Sequence, residues 1–455
     1  MIMTTRKKIN KVFESQRASF SASERGYKNR MELLSRLYTS VKDYEDEILD
    51  ALHSDLGKSR EEAYITEIGY VLSEISHIMK RLKSWMRSRR VKNSIFIPFS
   101  SSSYFYEPYG QVLIISPWNY PFSLAFSPLV GAIAAGNTCI IKPSEVSEKT
   151  SSVIKRLISE NFSEDDIAVV EGGSAEAKTL LSLPFDNIFF TGSPIIGKKI
   201  MKASADKLIP TTLELGGKSP CYVSRNADID LAVERIVFGK FINAGQTCIA
   251  PDYVLVDETV SDKLIERIKS HIESSYAKMG VMGKIINEKH LSRLAFMLKG
   301  QEVYYGGEVS KNKLNMSPTL VVDPPLDSKL MTEEIFGPIL PIVTVESVDN
   351  AINIMEKIPK PLASYIFSDD KKEQKRFLSC ISAGGSCIND TILHISNAYL
   401  PFGGVGNSGI GRYRGWYSFE NFSNVHSVYS SSKIKIPRLP PYGKNLISIL
   451  KRVLR

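Results

Sequence analysis

The stretch FINAGQTCIAPDY, residues 241–253, holds a lone cysteine, Cys248, between turn-prone residues and a proline. A thiolate there would attack an electrophilic carbon. A free thiol keeps its proton to about pH 8.5, so attack needs nearby N–H groups or a cation. Gly245 permits close backbone approach. The competing reading is core filler, because most buried cysteines are inert. TLELGGKSP ends an apolar segment in Glu214, before two glycines. In a partly dry cleft that carboxylate has a raised pKa and serves as a general base; facing water it is ordinary.

Two further stretches suit a nucleotide. In FFTGSPIIGKKI an apolar strand ends at Thr191, Gly192 opens a turn with Ser193, and Gly197 lies on the helix that follows. Free N–H groups and the helix dipole favour a diphosphate. Two glycines do not make G-x-G-x-x-G, and a plain strand-to-helix turn explains the stretch as well. IIKPSE ends another strand, with Lys142 and Glu145 placed to bond ribose hydroxyls or a phosphate, or to form a solvated loop with a helix cap.

These groups need a frame. The 455 residues allow two or three domains, and 43% apolar with 24% charged residues is the balance of a globular chain. Residues 7–92 read mostly as helix, with Gly57 as a stop. Strand and helix then alternate: QVLIIS, LAFSPLVGAIAAG, NTCIIKPSE, residues 150–161, DIAVVEGG, NIFFTGS. That alternation predicts a parallel sheet covered by helices, with the loops PWN, KPSE and TGS on its ligand-binding rim. From Thr212 to about Gly404 a second α/β unit follows, with CYVS, YVLVD, TLVVD, ILPIVTV and SYIFS as core strands. SSSS at 100–103 is a short hinge candidate.

Several classes are excluded. The net charge of +9 is spread along the chain and no nucleic-acid motif occurs, so no nucleic-acid partner is expected. Five cysteines, none in CxxC spacing, and no histidine at ligand spacing predict a reducing cytoplasm, no disulfide framework and no metal site. Cys139 and Cys221 read as core; Cys380 and Cys387 flank a glycine turn and read as structural. No apolar run approaches about 18 residues, and the N-terminus lacks a signal-peptide pattern.

PWNYP, KPSE, FTGSxxxG, LELGGKSP, GQTC, EEIFGP and LPFGGVGNSG occur in that order. Together they resemble the aldehyde dehydrogenase superfamily, from about residue 10 to 435. NAGQTCIAPDY, NDTILH and the short N-terminus are most similar to its class 3 branch of fatty, aromatic and coniferyl aldehyde dehydrogenases, and to bacterial enzymes for carotenoid aldehydes. The resemblance implies an α/β fold with a Rossmann-like parallel-sheet cofactor domain, a second α/β catalytic domain and a small β oligomerisation segment. The implied divisions are 1–211, with a bridging segment near 93–109, then 212–405, 406–432 and a tail at 433–455.

Roles follow by resemblance. Cys248 matches the nucleophile, Glu214 the general base, and Asn119 the side-chain oxyanion donor beside the Cys248 N–H. Lys142 and Glu145 match the adenosine-ribose contacts. Gly192, Ser193 and Gly197 match the diphosphate turn, and Glu334 and Phe336 the nicotinamide-ribose clamp. Trp118 and Leu215 line the cleft. Tyr120, His394 and residues around Ile392 are candidates for the tunnel mouth, with a surface place for His394 as the alternative. The implied reaction is NAD-dependent oxidation of a hydrophobic aldehyde to its acid, in a homodimer. Glu145 disfavours a 2′-phosphate, yet class 3 enzymes often accept NADP. A coenzyme A-acylating member and a non-enzymatic binding protein are the alternatives. Relatives commonly read YHGKxSFDTFSH where this chain has YRGWYSFENFSN, so Arg414, Trp416 and Asn424 alter the subunit-pairing segment.

The end of the chain, residues 437–455, reads as a basic amphipathic helix. Leu446, Ile447, Ile449, Leu450, Val453 and Leu454 form a stripe flanked by Lys444, Lys451, Arg452 and Arg455. It predicts either peripheral contact with an anionic membrane or a tail packed on its own subunit.

Overall fold

The computed structural model describes residues 4–22, 24–94, 97, 100–277, 282–431, 433 and 446–453. The N-terminal region is helical as expected: Arg6–Ala22, Tyr27–Asp43, Glu45–Leu56, then Arg60–Ala63, a π turn at Tyr64–Ile68, and Gly69–Trp85. Apolar residues at helical spacing bury one face, as with Leu33, Leu34, Leu37 and Val41.

The first sheet has six strands in the order Gly409–Ile410, Thr211–Leu215, Asn187–Gly192, Gln111–Ile115, Thr138–Lys142 and Ile167–Val169. All pair in parallel except the Gly409–Ile410 edge. Its central strands are apolar runs buried along their whole length, because helices cover both faces. The small-residue helix Ser123–Ala135 is buried throughout. The second sheet has seven strands: Val303–Tyr305, Thr319–Val322, Ile339–Val345, Tyr253–Asp257, Pro220–Val223, Ala363–Phe367 and Gly385–Ile388. The five stretches expected as its core strands all lie in it.

Two expectations change. The boundary at 211/212 falls on a strand of the first sheet. Thr211–Leu215 hydrogen-bonds to Asn187–Gly192, and the chain crosses to the second sheet only at Gly216–Ser219. The tetraserine at 100–103 is not a hinge. It begins the strand Ser100–Pro108, whose backbone pairs in a nine-residue antiparallel register with Ser423–Ser431. Arg89–Val91 completes this third, largely exposed sheet. In the segment YRGWYSFENFSN, Arg414 is buried, with its guanidinium 3.1 Å from Glu74 and packed over the Tyr70 ring.

At the C-terminus, Leu446–Val453 forms a helix with Ile447, Lys451 and Arg452 exposed. The remaining tail positions singled out in the sequence, Lys444, Leu454 and Arg455, lie outside the described residues. Among the described residues no helix is long and apolar enough to cross a membrane.

Candidate active site

The Cys248 loop is shaped by left-handed backbone. After the helix Ile229–Phe241 the chain tightens, and Asn243, Ala244 and Gly245 have φ of 53°, 53° and 74°. Gly245 is required by contact: a Cβ would stand 2.3 Å from the Gly337 carbonyl oxygen. The buried Gln246 side chain then pins the loop, donating to the Asn243 and Lys284 carbonyls and accepting the Ile286 N–H. Cys248 emerges half-buried with a free thiol. Burial, then the Glu334 and Glu214 carboxylates, push that thiol up to about 12, while the backbone N–H groups of Cys248 and Ile249 favour the thiolate.

Asn119 is buried beside this loop. Its Nδ2 donates to the Gln246 carbonyl at 3.0 Å, and its own carbonyl accepts from Asn243 Nδ2 at 2.7 Å. One amide hydrogen holds the loop; the second has no protein acceptor. Glu214 ends its strand buried, not facing water, and neither carboxylate oxygen has a protein partner. Burial pushes its pKa well above the ordinary value, with Arg412 opposing.

Two cavities meet at these groups. One, about 130 Å³, has mostly apolar walls that include Ile65, Tyr70, Phe238, Leu393, Phe402 and Tyr413. The other, about 240 Å³, is bordered by Trp118, Asn119, Gly192, Ser193, Glu334 and Phe336. Leu124, Thr191, Glu214, Leu215 and Cys248 line both.

The second cavity fits a dinucleotide by its own features. The helix Pro194–Ala205 begins at its edge, with Ser193 at the N-cap. That helix packs tightly on the strand behind it: a Cβ on Gly197 would stand 2.6 Å from a Leu215 methyl. Glu334 accepts the Gly217 N–H through one oxygen at 3.1 Å, and a second oxygen is available to a sugar hydroxyl. Burial and Asp252 raise its pKa to about 8. Trp118 meets Phe336 edge-on at 5.3 Å. Lys142 and Glu145 do not border this cavity. They stand further along the rim, paired at 2.9 Å, with Lys142 buried and Glu145 exposed.

Tyr120 and Ile392 line the tunnel as expected. His394 does not line it; it is half-buried. Its Nδ1 lies 3.2 Å from Cys387 Sγ and its ring packs near Phe402. The sequence reading missed most tunnel residues, among them Ile65, Tyr70 and Phe238, and also His290 and Arg293 of the cofactor side. Arg293 donates to the Glu334 and Ile335 carbonyls, steadying the EEIFGP loop. None of these stands in a recognisable motif; only folding gathers them.

The family model for the aldehyde dehydrogenase family matches residues 2–428. The chain is 46% identical to 4,4′-diaponeurosporen-aldehyde dehydrogenase of Staphylococcus aureus, covering 95% of this chain and 96% of that one. It is 42% identical to aldehyde dehydrogenase family 3 member A2 of Mus musculus, covering 97% and 93%. A solved structure of the substrate-bound state of a Staphylococcus aureus AldH superposes with a TM-score of 0.95 at 45% identity, covering 98% and 99%. A thiol shared by an apolar tunnel and a nucleotide cleft is what such chemistry needs, and on matches of this extent the chain belongs to the aldehyde dehydrogenase family, as an NAD(P)-dependent oxidoreductase that oxidises aldehydes.

Proposed function

We propose that the chain oxidises hydrophobic aldehydes (long-chain, aromatic or polyene) to carboxylic acids through a covalent intermediate on Cys248. One observation carries this reading: an apolar tunnel and a nucleotide cleft share Cys248 and Glu214 at their junction. The apolar walls support a lipophilic tail, and the relative named for 4,4′-diaponeurosporen-aldehyde supports a polyene among the substrates.

In this reading the Cys248 thiolate attacks the aldehyde carbon and forms a C–S bond. The free Asn119 amide hydrogen and the Cys248 N–H donate to the new oxyanion; one such donor is worth about 3–4 kcal/mol. A nicotinamide held in the cofactor cleft would supply the hydride acceptor. A thioester remains on Cys248. Glu214 takes a proton from water, whose oxygen adds to the thioester carbonyl; the C–S bond breaks and the acid departs. Glu334 and Phe336 clamp the nicotinamide ribose, Trp118 and Leu215 line its cleft, Gly192, Ser193 and Gly197 receive the diphosphate, and Lys142 with Glu145 hold the adenosine ribose. The exposed Glu145 carboxylate favours NAD over NADP.

Cys248→Ser should abolish oxidation, whereas Glu214→Gln should still release a first burst of NADH. Near-normal turnover by Cys248→Ser overturns the mechanism. The buried, unpartnered Glu214 favours water over coenzyme A as acyl acceptor; product analysis with and without coenzyme A decides that. A panel from short aliphatic to polyene aldehydes tests the substrate class.

The exposed strand Ser423–Ser431 supports pairing into a homodimer, measurable by light scattering. The basic helix Leu446–Val453 supports peripheral contact with anionic membrane, and five cysteines without CxxC spacing support a cytoplasmic place. Liposome co-sedimentation with and without residues 437–455 tests this; equal, negligible binding by both forms sinks it.

A further inference from the structure

Behind the nucleophile loop lies an ion pair with no exposed surface. Lys58 Nζ stands 2.6 Å from Glu67 Oε1, and both side chains are 0% exposed. Burying two charges costs desolvation that apolar residues of the same size avoid, so such a pair is poorly explained by stability alone. Each partner makes a second contact, and both contacts lead toward the site. Glu67 Oε2 accepts the N–H groups of Phe122 at 3.1 Å and Ser123 at 2.8 Å, where the PWNYP loop enters its helix. The Lys58 ammonium lies 4.1 Å from the centre of the Tyr120 ring. The Tyr120 hydroxyl is 2.6 Å from Thr247 Oγ1, and Thr247 is bonded to Cys248.

The helix is built to make this chain. Glu62 and Glu67 are five residues apart and face different ways on an α-helix. The π turn at Tyr64–Ile68 follows Glu62 and includes Glu67, and its wider turn brings residues five apart toward one face. Glu62 then accepts the Asn243 N–H at 2.9 Å, while Glu67 takes the substrate-side loop. One helical segment therefore grips the Asn119–Ser123 loop and the Asn243–Cys248 loop together.

A cation against the ring face is attracted by its π electrons and draws charge from the phenol, which favours Tyr120 as the donor of the shared hydrogen bond. Thr247 Oγ1 then accepts, and its own hydrogen is free to point into the tunnel that Thr247 lines. We propose that Lys58 and Glu67 are positioning residues for aldehyde oxidation: through Tyr120 they orient the Thr247 hydroxyl as a donor at the reacting end of the tunnel, easing attack by Cys248. This rests on Cys248 being the nucleophile. The donor counters an environment that otherwise disfavours the thiolate, with Glu214 and Glu334 both nearby.

The test is a double-mutant cycle on the full-length enzyme, read by the pre-steady-state NADH burst and by the pH profile of Cys248 alkylation with iodoacetamide. Tyr120→Phe and Thr247→Val should each slow the burst roughly 10-fold, the worth of one hydrogen bond, and the double variant should be no slower than either. The alkylation profile should move to higher pH in all three, with the KM for NAD unchanged. Thr247→Ser should restore the wild-type burst. Lys58→Met should slow the burst in the wild-type background and not in Tyr120→Phe; Lys58→Arg and Glu67→Gln provide folded alternatives if Lys58→Met is unstable. Wild-type bursts in Tyr120→Phe and Thr247→Val, or effects that simply multiply, overturn the inference. Cys248→Ser run alongside separates the failures: if it is active, the nucleophile reading falls; if it is dead and the cycle is silent, only the positioning inference does.

Discussion

The two cavities that meet at Cys248 are built in opposite ways. The cofactor side is made largely of short stretches, Pro117–Asn119, Thr191–Ser193, Glu214–Gly216 and the pair Glu334 and Phe336, joined by His290 and Arg293 from one helix. Apart from the Thr247–Ile249 loop, the tunnel takes its apolar side chains from distant places: Ile65 and Tyr70 from an N-terminal helical segment, Phe238 from another helix, Ile392, Leu393 and Ile395 from around a 3-10 turn, Phe402 and Tyr413 from the C-terminal loops. The cofactor side needs backbone approach, a helix N-terminus and a few polar atoms at set points, which few residue types satisfy. The tunnel needs only apolar volume, which many residues supply. The same enzyme thus has one wall suited to a constant partner and one free to follow its substrate.

The junction carries the largest expected effect. Cys248→Ser should lower turnover by roughly 10³-fold or more, because the covalent route disappears. Glu214→Gln should lower steady-state turnover about 10²–10⁴-fold while sparing the first NADH burst. Its raised pKa sets the sign of the pH effect: hydrolysis of the thioester should speed up as pH rises and the carboxylate ionises. If Glu214→Gln loses the burst as well, the two half-reactions do not divide as described.

The walls should separate next. Phe238→Ser on the tunnel should raise KM for a long-chain aldehyde about 10-fold and leave the KM for NAD alone. Arg293→Met on the cofactor side should do the reverse, by loosening the Glu334 loop. A variant that moves both constants equally breaks the comparison.

The smallest effect is on stability. Burial raises Glu334 to about 8 and Glu214 well above its ordinary value, so the folded chain holds protons that the unfolded chain releases near pH 4. This contribution is complete below about pH 4 and is lost as pH rises toward and through the folded values. Glu334→Gln should flatten the decline of Tm over that range by roughly 1–3 °C, followed by thermal melts.

Legibility divided along the same line as the cavities. Glu214 and Asn119 sit in motifs whose neighbours constrain them, and the fold brings both to the thiol. Lys142 and Glu145 are legible as a rim pair, though they stand away from the junction. His394 looks like a mouth residue by its place next to Ile392, but the 3-10 turn directs its ring to Cys387. Phe238 and Ile65 carry no local signal at all. Strand membership was similarly hidden. TLEL in TLELGG reads as a strand end whichever sheet it joins, and only pairing with Asn187–Gly192 assigns it to the first.

By itself the sequence determined the alternation of strand and helix, the glycine-bearing turns and the identity of the reactive groups. These follow from short-range rules of periodicity, backbone freedom and side-chain chemistry. Tertiary structure alone decided that Glu214 is buried, that Arg414 is buried, that Lys58 and Glu67 pair behind Tyr120, and which apolar residues wall the tunnel. Each of those depends on segments far apart in the chain, and desolvation and contact exist only once packing has brought such segments together.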